Sequence, residues 1–230
     1  MSYAVIIPAA GQGKRMKAGL NKQFLHLRQL PLIIRTLRVF EQDEHCEEVI
    51  VVVNPEETEE MAVLFAEHGI QKVTNIVSGG KERQDSVYEG LKQVRSQEVV
   101  MVHDGARPFV TKERIHALEA EAKNSGGAVL AVPVTDTIKR ASNSRVEETL
   151  ARSELWAAQT PQAFKFEVLM DAYAQAVDQG FQGTDDSGLV EWNGYPVAIV
   201  EGDYDNIKLT TPEDMVRAEA IIQKREESPK

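Results

Sequence analysis

The sequence predicts an α/β protein: a three-layer sandwich around a mostly parallel central sheet, with a protruding β-hairpin arm. Three observations predict it. Runs such as Val49-Ile50-Val51-Val52-Val53 and Val99-Val100-Met101-Val102 are apolar at every position, as strands covered on both faces must be. They alternate with stretches whose apolar residues recur at helical spacing. Residues 135–152 break that alternation, because the polar turn Ser142-Asn143-Ser144 sits between mixed charged and β-branched flanks, the pattern of an exposed hairpin.

Tyr3-Ala4-Val5-Ile6-Ile7 reads as the first buried strand, and it empties into Pro8-Ala9-Ala10-Gly11-Gln12-Gly13-Lys14-Arg15-Met16. Small residues there let an anion approach backbone N–H groups. The dinucleotide fingerprint G-x-G-x-x-G is not met, since Met16 stands where the third glycine belongs, and no Walker A spacing can be drawn. What remains is a glycine loop with Lys14 and Arg15 built in and Lys22 close behind. Such a loop suits a triphosphate attacked at its α-phosphorus, where neutralising charge is most of what catalysis requires. A strand-to-helix turn with solvated lysines fits the loop equally well.

Pro31 opens a helix through Leu32, Leu37 and Phe40. Strand 49–53 stops at Asn54-Pro55, and residues 58–68 form an amphipathic helix with Gly69 just past its end. A short strand around Val73 and Val77 enters a second glycine loop, Ser78-Gly79-Gly80, ahead of a helix through Val87, Leu91 and Val94. The free N–H groups of that helix favour a pyrimidine carbonyl or a phosphate; alternatively the glycines only turn the chain and Asp85 or Ser86 caps it.

Strand 99–102 ends in His103-Asp104-Gly105-Ala106-Arg107. A carboxylate at the carboxyl end of a parallel strand points into the ligand crevice, which makes Asp104 the metal-binding candidate; a turn cap ahead of Gly105 is its other role. Arg107 lies within reach of an anion in the same crevice. His103 is expected to be packed or solvated, without chemistry. A helix over 112–123 and a strand over 128–134 precede the arm. Beyond it, Trp156 is expected in the core and Thr160, before Pro161, at a helix entry. A helix over 167–177, capping residues at 184–187, a strand over 196–200 and a terminal helix from Pro212 complete the chain.

At 230 residues and 42% hydrophobic composition the chain is expected to form one domain, 1–230. A formal net charge of −10 argues against nucleic-acid or membrane surfaces as partners, so any anionic ligand needs cations gathered locally. The single cysteine, Cys46, is expected to be a surface or half-buried thiol. The first apolar run is too short to span a membrane and carries no basic leader, which points to the cytoplasm.

Several motifs together resemble the 2-C-methyl-D-erythritol 4-phosphate cytidylyltransferase family of sugar-phosphate nucleotidyltransferases. They are Ala9-Ala10-Gly11-x-Gly13-x-Arg15-Met16 with Lys22-Gln23-Phe24, Arg83-x-Asp85-Ser86-Val87, Asp104-Gly105-Ala106-Arg107-Pro108, Leu155-Trp156 with Thr160-Pro161-Gln162, and Asn206-Ile207-Lys208-x-Thr210-x-Pro212-Glu213-Asp214. The resemblance implies a Rossmann-like sandwich and transfer of CMP from CTP to 2-C-methyl-D-erythritol 4-phosphate. It assigns catalysis to Arg15, Lys22, Arg152 and Lys208. It assigns the nucleotide to Pro8, Ala9, Ala10, Gly11, Gly13, Gly80, Lys81, Arg83, Ser86, Asp104 and Ala106. The acceptor falls to Asp104, Arg107, Thr137, Arg152, Thr160 and Lys208, and Mg²⁺ to Asp104. Residues 137–153 become a dimerisation arm exchanged across a homodimer. Ribitol 5-phosphate or another sugar phosphate as acceptor is the neighbouring reading, and a dimer that binds nucleotide without turnover is the distant one.

Overall fold

A computed structural model describes residues 2–11 and 21–227. Among them the strands are β1 (Tyr3–Pro8), β2 (His26–Leu27), β3 (Leu30–Pro31), β4 (Cys46–Val53), β5 (Val73–Ser78), β6 (Val99–Val102), β7 (Gly127–Pro133), β8 (Lys139–Ser142), β9 (Arg145–Thr149), β10 (Trp156–Lys165) and β11 (Ala198–Glu201). The helices are α1 (Leu32–Glu41), α2 (Thr58–Glu67), α3 (Arg83–Leu91), α4 (Lys112–Ser125), α5 (Phe166–Gln179), α6 (Asp186–Trp192) and α7 (Pro212–Glu227).

Seven strands form the central sheet in the order β11-β7-β10-β6-β1-β4-β5. Every neighbouring pair is parallel except the two made by β10, which runs against both β6 and β7. Successive side chains of a strand face opposite sides, so Tyr3, Val5 and Ile7 pack beneath α1 and α4 while Ile6 packs with α3 and α5. Helices therefore cover both faces, giving the expected three layers. After β1 the chain builds outward through β4 and β5 and then returns to the other side of β1 with β6. The crevice between the carboxyl ends of β1 and β6 is thus a topological switch point, where open α/β sheets bind ligands.

The arm is a hairpin of β8 and β9, exposed along its whole length. Asn143 and Ser144 take φ of 49° and 60° at its tip, as a two-residue turn matched to strand twist requires. Several sequence expectations change. Helix α3 stops at Leu91, before Val94. Cys46 is buried in the core, not at the surface, and burial pushes its thiol up to about 12. Trp156 is 40% exposed at the root of the arm. Thr160 and its cis-linked Pro161 lie inside β10 rather than at a helix entry.

That last difference shapes the site. Because β10 is antiparallel and pairs Gln162 with Val102, Thr160 falls beside the residues that follow β6. Its hydroxyl accepts from the Asp104 N–H at 3.0 Å and lies 3.3 Å from His103 Nδ1. His103 Nε2 sits 2.9 Å from the Arg107 carbonyl, which can only accept. The imidazole therefore carries its proton on Nε2, and Thr160 donates to Nδ1. The chain of bonds Asp104 to Thr160 to His103 to Arg107 braces the whole turn.

Complete burial pushes the His103 pKa down to about 4, despite the Arg107 carbonyl and Asp104, which favour its charged form. Between about 4 and the usual 6.5 the unfolded chain binds a proton that the folded chain refuses, so stability falls as pH falls through that window. The loss is bounded at about 3 kcal/mol. Urea unfolding of wild type and His103→Gln from pH 7 to pH 4 checks this. The variant starts less stable, and its deficit is expected to shrink as pH falls; a deficit independent of pH removes His103 as the cause.

Candidate active site

The loops after β1, β5 and β6 meet over a cleft of about 200 Å³. Ala10 and Gly79 touch there so closely that a Cβ on Gly79 would lie 2.7 Å from the Ala10 Cβ, which is why the second loop needs a glycine. The β1 loop supplies Pro8, Ala10 and Gly11, the β5 loop supplies Gly80 and Lys81, and the first turn of α3 supplies Arg83 and Ser86. Asp104 and Ala106 come from the turn after β6, Lys22 from the short turn Lys22–Phe24, and Lys208 from the segment before α7. Lys22, Lys81, Arg83 and Lys208 outnumber Glu82 and Asp104 in this lining, so a chain of net charge −10 does gather its cations locally.

Asp104 lies at the electrostatic centre. Lys208 Nζ is 2.7 Å from Oδ2, Arg83 Nε is 3.7 Å from Oδ1 and Arg107 Nε is 3.8 Å from Oδ2. Burial by itself would raise the carboxyl, but Lys208 and then Arg83 outweigh it and hold Asp104 far below the usual carboxylate range. It is a permanent anion. Lys22 reaches across to the Leu209 carbonyl at 3.3 Å, tying its own turn to the segment that carries Lys208.

Not every expected residue turns its polar group to the cleft. Ala9 is buried, its N–H on the Val52 carbonyl at 2.7 Å, so it extends the sheet rather than meeting a ligand. Arg107 turns inward and donates to the Asn206 carbonyl at 2.7 Å. Thr160 spends its hydroxyl on the brace. Ser86 accepts from the Gly80 N–H at 3.1 Å and donates to the Glu82 carbonyl at 3.0 Å, which shapes the second loop. Thr137 and Arg152 are exposed outside the cleft, with Arg152 on the Thr135 carbonyl at 2.8 Å. Gly13 and Arg15 lie outside the described residues.

Three further residues line the cleft with no role assigned from sequence: Gln23, Glu82 and Gly105. Gln23 is buried against Gly105, where a Cβ would meet its amide at 3.0 Å. Nothing in a lone glutamine marks such packing; only its place in Lys22-Gln23-Phe24 hints at it. For the metal, Asp104 offers an ionised carboxylate whose Oδ1, among the described residues, has the 3.7 Å contact with Arg83 and no closer cation. No group of three or more His, Cys, Asp or Glu able to hold an ion occurs among the described residues. One carboxylate beside a cationic cleft fits Mg²⁺, which takes few protein ligands and completes its shell with water and substrate phosphates.

Comparison with known proteins gives this geometry a family. The family model described as IspD, 2-C-methyl-D-erythritol 4-phosphate cytidylyltransferase, matches residues 3–224. Proteins of that name from Bacillus velezensis and Geobacillus kaustophilus are 58% and 54% identical, the first over 97% of both chains and the second over 98% of this chain and 99% of its own. A 4-diphosphocytidyl-2C-methyl-D-erythritol synthase structure from Anaerococcus prevotii superposes with a TM-score of 0.85 at 29% identity, over 96% of both chains. A 2-C-methyl-D-erythritol 4-phosphate cytidylyltransferase from Thermus thermophilus gives 0.78 at 33%, over 97% of this chain and all of its own. With Pro8, Lys22, Arg83, Asp104 and Lys208 assembled at one switch point and these matches spanning nearly its whole length, the chain belongs to the 2-C-methyl-D-erythritol 4-phosphate cytidylyltransferase family.

Proposed function

We propose that this protein transfers CMP from CTP to 2-C-methyl-D-erythritol 4-phosphate, releasing pyrophosphate and forming 4-diphosphocytidyl-2-C-methyl-D-erythritol for isoprenoid precursor synthesis. The observation that carries the reading is the convergence of Lys22, Arg83 and Lys208 around Asp104 at the switch-point cleft. The acceptor phosphate oxygen attacks the α-phosphorus in line with the departing pyrophosphate. No general base is needed, because a phosphate monoester is mostly ionised at neutral pH. The obstacle is repulsion between two polyanions, and preorganised cations are the remedy.

Lys22, with Arg15, takes the triphosphate and the charge developing on the α-phosphate, while Lys208 takes the acceptor phosphate. Asp104 would hold Mg²⁺, which when bound would supply further charge neutralisation for the phosphates. Asp104 keeps Lys208 oriented toward the cleft until the acceptor competes for it. Incubation with CTP, UTP or ATP and each candidate acceptor, following pyrophosphate, tests the assignment. Product is expected only with CTP and the methylerythritol phosphate; turnover of ribitol 5-phosphate at equal rate, or CTP binding without turnover, refutes it.

The arm completes the site from a second copy. Thr137 and Arg152 lie outside this chain's own cleft, and a solvent-exposed two-stranded hairpin with Val146 64% exposed calls for a packing partner. In a homodimer exchanging residues 137–153, Arg152 of one copy would orient the acceptor in the other.

Lys22→Ala is expected to lower kcat by about 10²–10³-fold with little change in acceptor KM, and Arg152→Ala to act chiefly on acceptor KM. Steady-state kinetics with both substrates varied separates the two; equal effects on CTP affinity with kcat intact would contradict the division. Assayed at acceptor concentrations well below the raised KM of Arg152→Ala, where each variant alone is nearly silent, mixing the two rebuilds one intact site per mixed dimer and restores activity toward about a quarter of wild type if the arm exchanges across a two-fold axis. Absence of complementation counts against the exchange.

A further inference from the structure

Arg83 lines the cleft, yet most of its guanidinium faces away from it. Nη1 and Nη2 lie 3.2 Å and 2.7 Å from the two carboxylate oxygens of Asp186. Asp186 is completely buried at the start of α6, and the Tyr173 hydroxyl of α5 donates to the same carboxylate. Only Nε remains on the cleft side, 3.7 Å from Asp104 Oδ1.

Asp186 is not needed to begin its helix. Asp185 caps α6 by accepting from the Gly188 N–H at 2.9 Å, and Gln162 holds both the Ser187 N–H, at 2.8 Å, and Asp185 Oδ2, at 2.7 Å. Gln84 separately ties α3 to the Phe181 carbonyl and the Gly183 N–H. The corner is therefore fastened without the Asp186 side chain. A carboxylate taken wholly out of water is costly, and apolar side chains of similar volume would pack there as well or better. What a two-point grip on a planar guanidinium adds is direction.

We infer that Asp186 is a positioning residue for nucleotidyl transfer, holding Arg83 so that it presents only Nε to Asp104 and leaves the Asp104 carboxylate open toward the cleft. The inference rests on the CTP-dependent reading above. Released from Asp186, the guanidinium is free to swing its terminal nitrogens onto Asp104 Oδ1, the oxygen that Lys208 leaves unoccupied. Arg83 would then compete with whatever the nucleotide and its cation require of that carboxylate. Tyr173 stiffens the arrangement from the far side.

Calorimetric titration of the full-length protein with CTP and Mg²⁺, alongside acceptor KM and the melting temperature, tests this. Asp186→Asn is expected to weaken CTP binding by about tenfold or more, while acceptor KM stays within about twofold. Because that variant leaves a buried guanidinium half-paired and prone to misfolding, Arg83→Met with Asp186→Leu is the second variant, replacing the pair by apolar side chains. It is expected to melt close to the parent and to bind CTP with the same affinity as Arg83→Met alone. CTP affinity in the double variant well below that of Arg83→Met alone overturns the inference, because Asp186 would then act other than through Arg83, as does a joint fall of CTP affinity, acceptor affinity and melting temperature in Asp186→Asn. A parent protein that binds no CTP sinks the preceding reading and this one together; a parent that binds CTP beside an Asp186→Asn variant of unchanged CTP affinity sinks this one alone.

Discussion

The Asp104 carboxylate stands 2.7 Å from the Lys208 ammonium, with guanidinium nitrogens of Arg83 and Arg107 at 3.7 Å and 3.8 Å. Bringing cations that close together without an anion among them would be repulsive in a partly desolvated site. Asp104 removes that repulsion while the cleft is empty, and it does so as a permanent charge rather than one that comes and goes near neutral pH. Phosphate oxygens entering the cleft meet cations already placed, so little reorganisation is left for the moment of reaction. The acidity of the rest of the chain then costs the site little, since surface charges farther off than a Debye length of about 10 Å are screened.

The sheet explains how residues so distant in sequence meet. Strands β1, β5 and β6 all end on the same side, and the reversal of strand order between β1 and β6 opens the crevice into which their loops turn. The one antiparallel strand, β10, brings Thr160 to the turn that follows β6. Asn206 joins the same framework, donating to the Thr160 carbonyl at 2.9 Å and accepting on its own carbonyl from Arg107 at 2.7 Å. The segment that carries Lys208 is thereby fastened to the strand that holds Asp104.

What could be read from the sequence followed from local physics. Val49–Val53 and Val99–Val102 announce themselves because every residue is apolar, and Gly69, with φ of 67°, ends α2 as a residue free of Cβ can. The hairpin tip was legible from the polar turn Ser142-Asn143-Ser144 between its mixed flanks, where asparagine tolerates the left-handed backbone that the tip requires. The beginning of β10 was not, because proline ordinarily argues against a central strand. Here the pairing with β7 passes from Ala158 directly to Gln162 and the pairing with β6 begins at Gln162, so Pro161 sits where no ladder bond is required of it. Clustered motifs pointed to Lys22, Asp104 and Lys208, whereas His103 looked idle because its partners, Thr160 and Arg107, are set by tertiary structure. Asp186 was legible only as part of a capping cluster, since Arg83 lies 103 positions away.

The arm leaves the sheet at Pro133 and rejoins it at Trp156, and those two residues are partners in the ladder between β7 and β10. Its two ends are thus stitched together at the root before the excursion begins. The entropy of closing a flexible loop grows only with the logarithm of its length, at roughly 0.6 kcal/mol for each doubling. The excursion can accordingly be lengthened, shortened or rewritten in composition at small thermodynamic expense to the core beneath it. Evolution is left free to tailor its reach to whatever surface it meets, with the folded sheet insulated from the experiment.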